Sequence, residues 1–247
     1  MLSWLSARRR TRTPSPIPAA WRRILDANVA LARRLSPARR DALLAWAQGF
    51  IADTDWVGCG GLDVTEEMQV TIAAQAGLLV MGRPERDLYA DVSSILVYPT
   101  TLVRPPRPLG FFEQPRAPTG HGTTVIGEAM LRGPVVLAWD AVRRGLRDDR
   151  DGLDTATHEF AHVLDARDGL FDGTPELHAR EDYRPWATVM QARFSQLRRG
   201  DRALRKALRD YGATNEAEFF AVVSEVYFER PALLRTRAPD LYAVLRQ

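Results

Sequence analysis

Cysteine and lysine are almost missing from this chain of 247 residues: Cys59 is the single cysteine and Lys206 the single lysine. One cysteine excludes an internal disulfide framework and any zinc site built from several thiolates, and it points to a reducing compartment. The near-absence of lysine beside abundant arginine looks like genome composition rather than function. Histidine is scarce too, with four residues, His121, His158, His162 and His178. Long apolar runs are also lacking, and nothing approaches the roughly 18 apolar residues of a membrane-spanning helix. The N-terminal arginines lead into TPSPIPAA, not into the roughly 7–15 apolar residues of a secretory signal. Composition alone does not separate this front from an Arg-rich transit peptide; the expectation is a cytoplasmic protein without a membrane span.

Charge is unevenly distributed. The chain carries +3 overall with a pI near 9.3. Residues 1–40 hold ten arginines against Asp26, or +9, which leaves −6 for residues 41–247. A basic front of this kind reads first as a solvated tail and an exposed helix face, and second as a contact for an acidic partner, a membrane surface or nucleic acid. No clear nucleic-acid-binding pattern accompanies it.

Residues 1–18 are polar and proline-rich and read as a disordered tail, followed by a single domain over 19–247. Apolar residues recur at helical spacing from Ala19 to Ile51, and Ser36-Pro37 fits a helix start. Gly58, Gly60 and Gly61 mark a loop before a buried helix that ends near Gly82. Residues 93–99 (SSILVYP) and 134–140 (PVVLAWD) read as strands, separated by a proline-rich surface loop at 104–118. The second half reads as helices. A few strands followed by mostly helices predicts an α+β fold.

The stretch THEFAHVLDARDG, Thr157 to Gly169, contains H-E-x-x-H. On a helix, His158 and His162 stand on one face with Cβ atoms roughly 5–6 Å apart, so both imidazoles can converge on one ion. Glu159 lies roughly 100° further round and can serve a water as general base. Asp154 fits as the helix cap and Gly169 as its terminator.

A hydrolytic zinc ion takes three protein ligands and leaves a position open, so one ligand is still to be found. Asp168 stands where a metzincin-type pattern puts its third ligand, but Asp165 occupies the place of the turn glycine. His121 and His178 lie in no clear ligand pattern. The better source is a second helix, EAEFFAVVSEVYFE, with Glu216, Glu218, Glu225 and Glu229; it would complete the His-His-Glu set of thermolysin-type enzymes. Glu218 and Glu225 share a face, and spacing does not choose between them. Asp165, on the histidine face, is expected to accept the free N–H of a ligand imidazole. The strand at 134–140 is expected to offer its edge to a peptide substrate, with the 104–118 loop as a rim.

The combination of YADVSSILVYP, GPVVLAWD, HEFAHVLDARDG and YGATNEAEFFAVVSE resembles the Mlc titration factor A (MtfA) family of zinc peptidases, from about Trp21 to Pro231. The resemblance implies a zincin-like metallopeptidase core of gluzincin type behind N-terminal helices, related in fold to the metallopeptidase domain of anthrax lethal factor. It also implies one Zn2+ held by His158, His162 and Glu218, Glu159 as general base, and Tyr211 steadying the oxyanion. The family is linked to aminopeptidase-like activity and, in enteric bacteria, to binding the repressor Mlc. The expected function is thus zinc-dependent hydrolysis of a peptide or protein substrate. The alternative is a regulatory protein that binds a transcriptional repressor, with zinc mainly structural. Glu159 separates the two, because a structural site has no need of a free carboxylate beside the metal.

Overall fold

The computed structural model describes residues 16–83, 88–103, 124–125, 127–129, 133–148 and 150–246. The 104–118 loop and His121 lie outside them. The helical periodicity of the N-terminal part is divided between α1 (Ala19–Asn28) and α2 (Pro37–Asp53), with a 3-10 turn at Ala30–Arg34 between them. The Ser36 hydroxyl accepts from the Arg39 amide at 3.4 Å, and Pro37 fills the first turn. Strand β1 (Asp55–Gly58) follows, then α3 (Glu66–Val80), capped by the Thr65 hydroxyl. Trp21 and Leu25 of α1 are buried, and the Trp21 indole donates to Glu66 at 2.8 Å.

Strand β2 (Ser94–Tyr98) matches the sequence expectation almost residue for residue. Leu102–Val103 (β3) and Thr124–Val125 (β4) form a separate antiparallel pair. Gly127–Ala129 is β5 and Val135–Ala138 is β6; the latter ends early because Trp139–Gly145 turns into α4. The main sheet runs β1-β2-β6-β5, with β1, β2 and β6 parallel and β5 antiparallel to β6. The 134–140 strand is therefore interior, paired on both sides, and has no free edge for a substrate. The edge beside it belongs to β5.

The remaining helices are α5 (Thr155–Asp165), α6 (Tyr183–Arg198), α7 (Arg202–Arg205), α8 (Glu216–Glu229), α9 (Pro231–Arg237) and α10 (Pro239–Val244). The result is a helix-rich mixed fold around a small, mostly parallel sheet. Helix α5 lies between two cores. Its Ala156, Phe160 and Leu164 pack with Ile95 and Val97 of β2 and Leu137 of β6. Its Ala161 faces the opposite core, built from α6, α8 and α10. A helix covered on both sides has little solvated face, so its buried polar side chains call for partners inside the protein. No helix among the described residues is long and apolar enough to cross a membrane.

Candidate metal centre

Helix α5 starts where the Asp154 carboxylate accepts from the Thr157 amide at 3.0 Å and the Thr157 hydroxyl at 2.7 Å. Gln75 of α3 donates to the same carboxylate at 2.8 Å. The cap therefore also ties α5 to α3. One turn later His158, Glu159 and His162 are buried.

Helix α8 starts at a second cap, where the Asn215 side-chain oxygen accepts from the Glu218 amide at 2.9 Å. This sets the carboxylate of Glu218 in the first turn of α8, aimed at α5. Glu218 Oε2 lies 3.1 Å from His158 Nε2 and 3.4 Å from His162 Nε2, and the two Nε2 atoms are 3.2 Å apart. Donor atoms bound tetrahedrally at about 2.0–2.1 Å stand about 3.3 Å from one another, so this triangle has the size of a zinc ligand set. His158, His162 and Glu218 are the one group among the described residues whose ligand atoms converge in this way.

The electrostatics also call for a cation. Burial works against charge on His158, but hydrogen bonds to Glu218 and Glu225 outweigh it and push its pKa up to about 10. Burial would raise Glu218, yet its bonds to the two histidines hold it well below the ordinary carboxylate range. Two imidazoles and a carboxylate turned toward a common point need positive charge there, as protons or as a metal ion.

Glu225 proves to have a different task from Glu218. Its Oε1 lies 2.7 Å from His158 Nδ1, its Oε2 accepts from the Asp154 amide at 2.8 Å, and Arg209 also bonds Oε1. The two glutamates thus reach the two nitrogens of one imidazole. Asp165, expected to orient an imidazole, does not bond one. Its Oδ1 accepts from the Thr174 amide at 2.7 Å, fixing the loop after α5, while Oδ2 and His162 Nδ1 have no hydrogen-bond partner among the described residues. Burial, opposed by amide bonds from Gly173 and Thr174, raises the Asp165 carboxyl to about 6.

The remaining candidates fall away from the triangle. Asp168 is exposed and accepts from the Leu170 amide at 2.9 Å, in the turn that Gly169 closes at φ 93°. His178 and Glu216 are exposed. Glu229 Oε2 takes the amides of Gly152 and Leu153 at 2.7 and 2.9 Å. Tyr211, on a 3-10 turn at Asp210–Ala213, puts its ring 5.9 Å from that of His158 and is half-exposed at the mouth of the site. Partial burial and then the Glu218 charge hold the phenol above its ordinary pKa. Glu159, next to His158 on α5, is buried, and its charge acts on both His158 and Tyr211.

The family model described as glucose-regulated metallo-peptidase M90 matches residues 3–247. The chain belongs to this family. An uncharacterized protein of Synechocystis sp. is 34% identical over 251 residues, covering 99% of this chain and 88% of the relative. Mlc titration factor A of Serratia proteamaculans is 31% identical over 194 residues, 74% of this chain and 68% of the relative. The Yersinia pestis protein of the same name is 28% identical over 251 residues, 98% of this chain and 87% of the relative. Membership of a metallopeptidase family implies a divalent metal, and the triangle of His158, His162 and Glu218 has the donor chemistry to hold one.

Proposed function

We propose that residues 19–247 form one gluzincin-type catalytic unit that hydrolyses peptide bonds with a single zinc ion. The observation that carries this reading is the convergence of His158 Nε2, His162 Nε2 and Glu218 Oε2 from two capped helices, with buried Glu159 adjacent. When bound, zinc supplies Lewis acidity, which makes water a nucleophile near neutral pH and polarises a carbonyl. The protein's own groups move the protons and hold the charge. Glu159 takes the proton of the attacking water and returns it to the leaving amine. The Tyr211 hydroxyl donates a hydrogen bond to the oxygen on which negative charge develops. Strand β5, the edge nearest α5, offers its backbone to an extended peptide. An aminopeptidase-like preference and a cytoplasmic location complete the proposal. The name of the Serratia and Yersinia relatives favours one additional reading, a regulatory role through binding a transcriptional repressor.

The test compares zinc content and peptide hydrolysis in the wild type, Glu159→Gln and Glu218→Ala. Glu159→Gln is expected to keep its zinc and lose turnover by about 10²–10⁴-fold. Unchanged turnover would remove the peptidase reading and leave the regulatory one. Glu218→Ala is expected to lose zinc; full retention would overturn the ligand assignment.

A further inference from the structure

We propose that Arg209 is a positioning residue of the metal site, acting through Glu225 on His158. The inference rests on the reading of His158 as a ligand and adds a third layer behind it. Glu225 is 1% exposed, so its carboxylate has no solvent to stabilise its charge. Its neighbours on the side away from the metal triangle are acids: Asp154 gives it an amide, and Glu229 lies one helical turn on, both buried. Arg209 is the arginine paired with it, on the same oxygen that faces the His158 imidazole. A buried carboxylate beside two further acids is costly unless such a partner compensates it.

An imidazole can ligate through Nε2 only while its remaining N–H sits on Nδ1, and that N–H needs an acceptor. Glu225 Oε1 stands 2.7 Å from His158 Nδ1, and the Arg209 guanidinium bonds the same oxygen. The guanidinium therefore holds the carboxylate oxygen in place against the Nδ1 side of the ring, which leaves Nε2 facing Glu218 and His162. Arg209 also directly precedes the 3-10 turn that carries Tyr211. One ion pair thus fixes the orientation of a ligand and anchors the segment that supplies the oxyanion donor. The Arg209 side chain is 36% exposed, so its removal opens no cavity in the core.

The experiment uses the full chain as wild type, Arg209→Met, Arg209→Lys, Arg209→Gln, Glu225→Gln and the Arg209→Met/Glu225→Gln double variant. Zinc affinity is read by competition with a chromophoric chelator. The His158 Nδ1–H proton is read by NMR of the zinc-loaded, histidine-labelled protein. Arg209→Met is expected to weaken zinc binding by about 10–100-fold and to lose the exchange-protected Nδ1–H resonance. Arg209→Lys should recover part of both, since an ammonium restores the charge without the fork. In the Glu225→Gln background Arg209→Met should have little further effect, because the two act as one unit. Wild-type affinity in Arg209→Met, weaker binding with the Nδ1–H proton still protected, or additive losses in the double variant would each overturn the proposal. If Arg209→Met fails to fold, Arg209→Gln decides, since undiminished affinity there, without the positive charge, overturns the proposal. A wild-type protein that binds no zinc would overturn the metallopeptidase reading itself, a result distinct from these.

Discussion

Glu229 should make the protein less stable as pH rises, and Glu229→Gln should remove that dependence. The residue is 6% exposed, with Asp154 and Glu225 close by and equally buried. Burial, and next the Asp154 charge, raise its carboxyl from 4.5 to about 8, against the opposing pull of the Gly152 amide. Between these two values the native state holds a proton that the unfolded chain has released. Stability therefore falls with rising pH across that window and levels off above about 8. At about 1.4 kcal/mol for each pH unit, the window allows at most about 5 kcal/mol. Glu229 and Asp154 line a cleft with Asn28 and Gln75, and solvent in that cleft together with sharing of the charge reduces the figure to about 2 kcal/mol. Glutamine has the same shape and can accept the Gly152 and Leu153 amides without a charge to bury. Urea unfolding of both proteins at pH 5.5 and pH 9 isolates the effect, because metal linkage is common to the two and cancels in the difference. The variant should gain about 2 kcal/mol on the wild type between the two pH values. Parallel profiles would refute the reasoning.

Two further outcomes follow from the same structure. Tyr211→Phe should lower kcat in peptide hydrolysis by about 10²–10³-fold while zinc content stays at the wild-type level; an unchanged kcat would remove the tyrosine from the oxyanion. Phe160→Ala should cost about 3–5 kcal/mol in urea unfolding, since the ring is fully buried and packs edge-on to Phe50 at 5.9 Å and Tyr89 at 5.1 Å.

Helix α5 was legible from sequence because its signals are local: an Asp154 cap, two histidines at helical spacing and a terminating glycine. Choosing between Glu218 and Glu225 was not, because both lie on one face of α8. They differ only in which nitrogen of His158 they reach, and that depends on how α8 crosses α5. Arg209 gave no signal at all: arginine accounts for all but one of the 34 basic residues, so one more stands out in nothing. Asp165 carries the right chemistry at the right spacing, but the loop after α5 folds back and its Thr174 amide takes the carboxylate instead. Strands β1 and β5 were missed for a shared reason. DWVG and GEA have too few apolar residues to show a period, and it is pairing with β2 and β6 that makes them strands. Without β5, the neighbouring strand looked like an edge.

The Asn215 cap has a consequence beyond helix stability. By bonding the Glu218 amide it fixes the residue at which α8 begins, and so it also fixes the compass bearing of the Glu218 carboxylate. A slip of α8 by one residue in its register against α5 would turn that side chain by roughly 100°, out of reach of both imidazoles. The connection from Arg209 to Asn215 therefore works as a measured length of chain. It can change in composition more readily than in count, since an inserted residue that displaced the cap by one position would carry the Glu218 carboxylate away from His158 and His162 while leaving all three residues in the sequence.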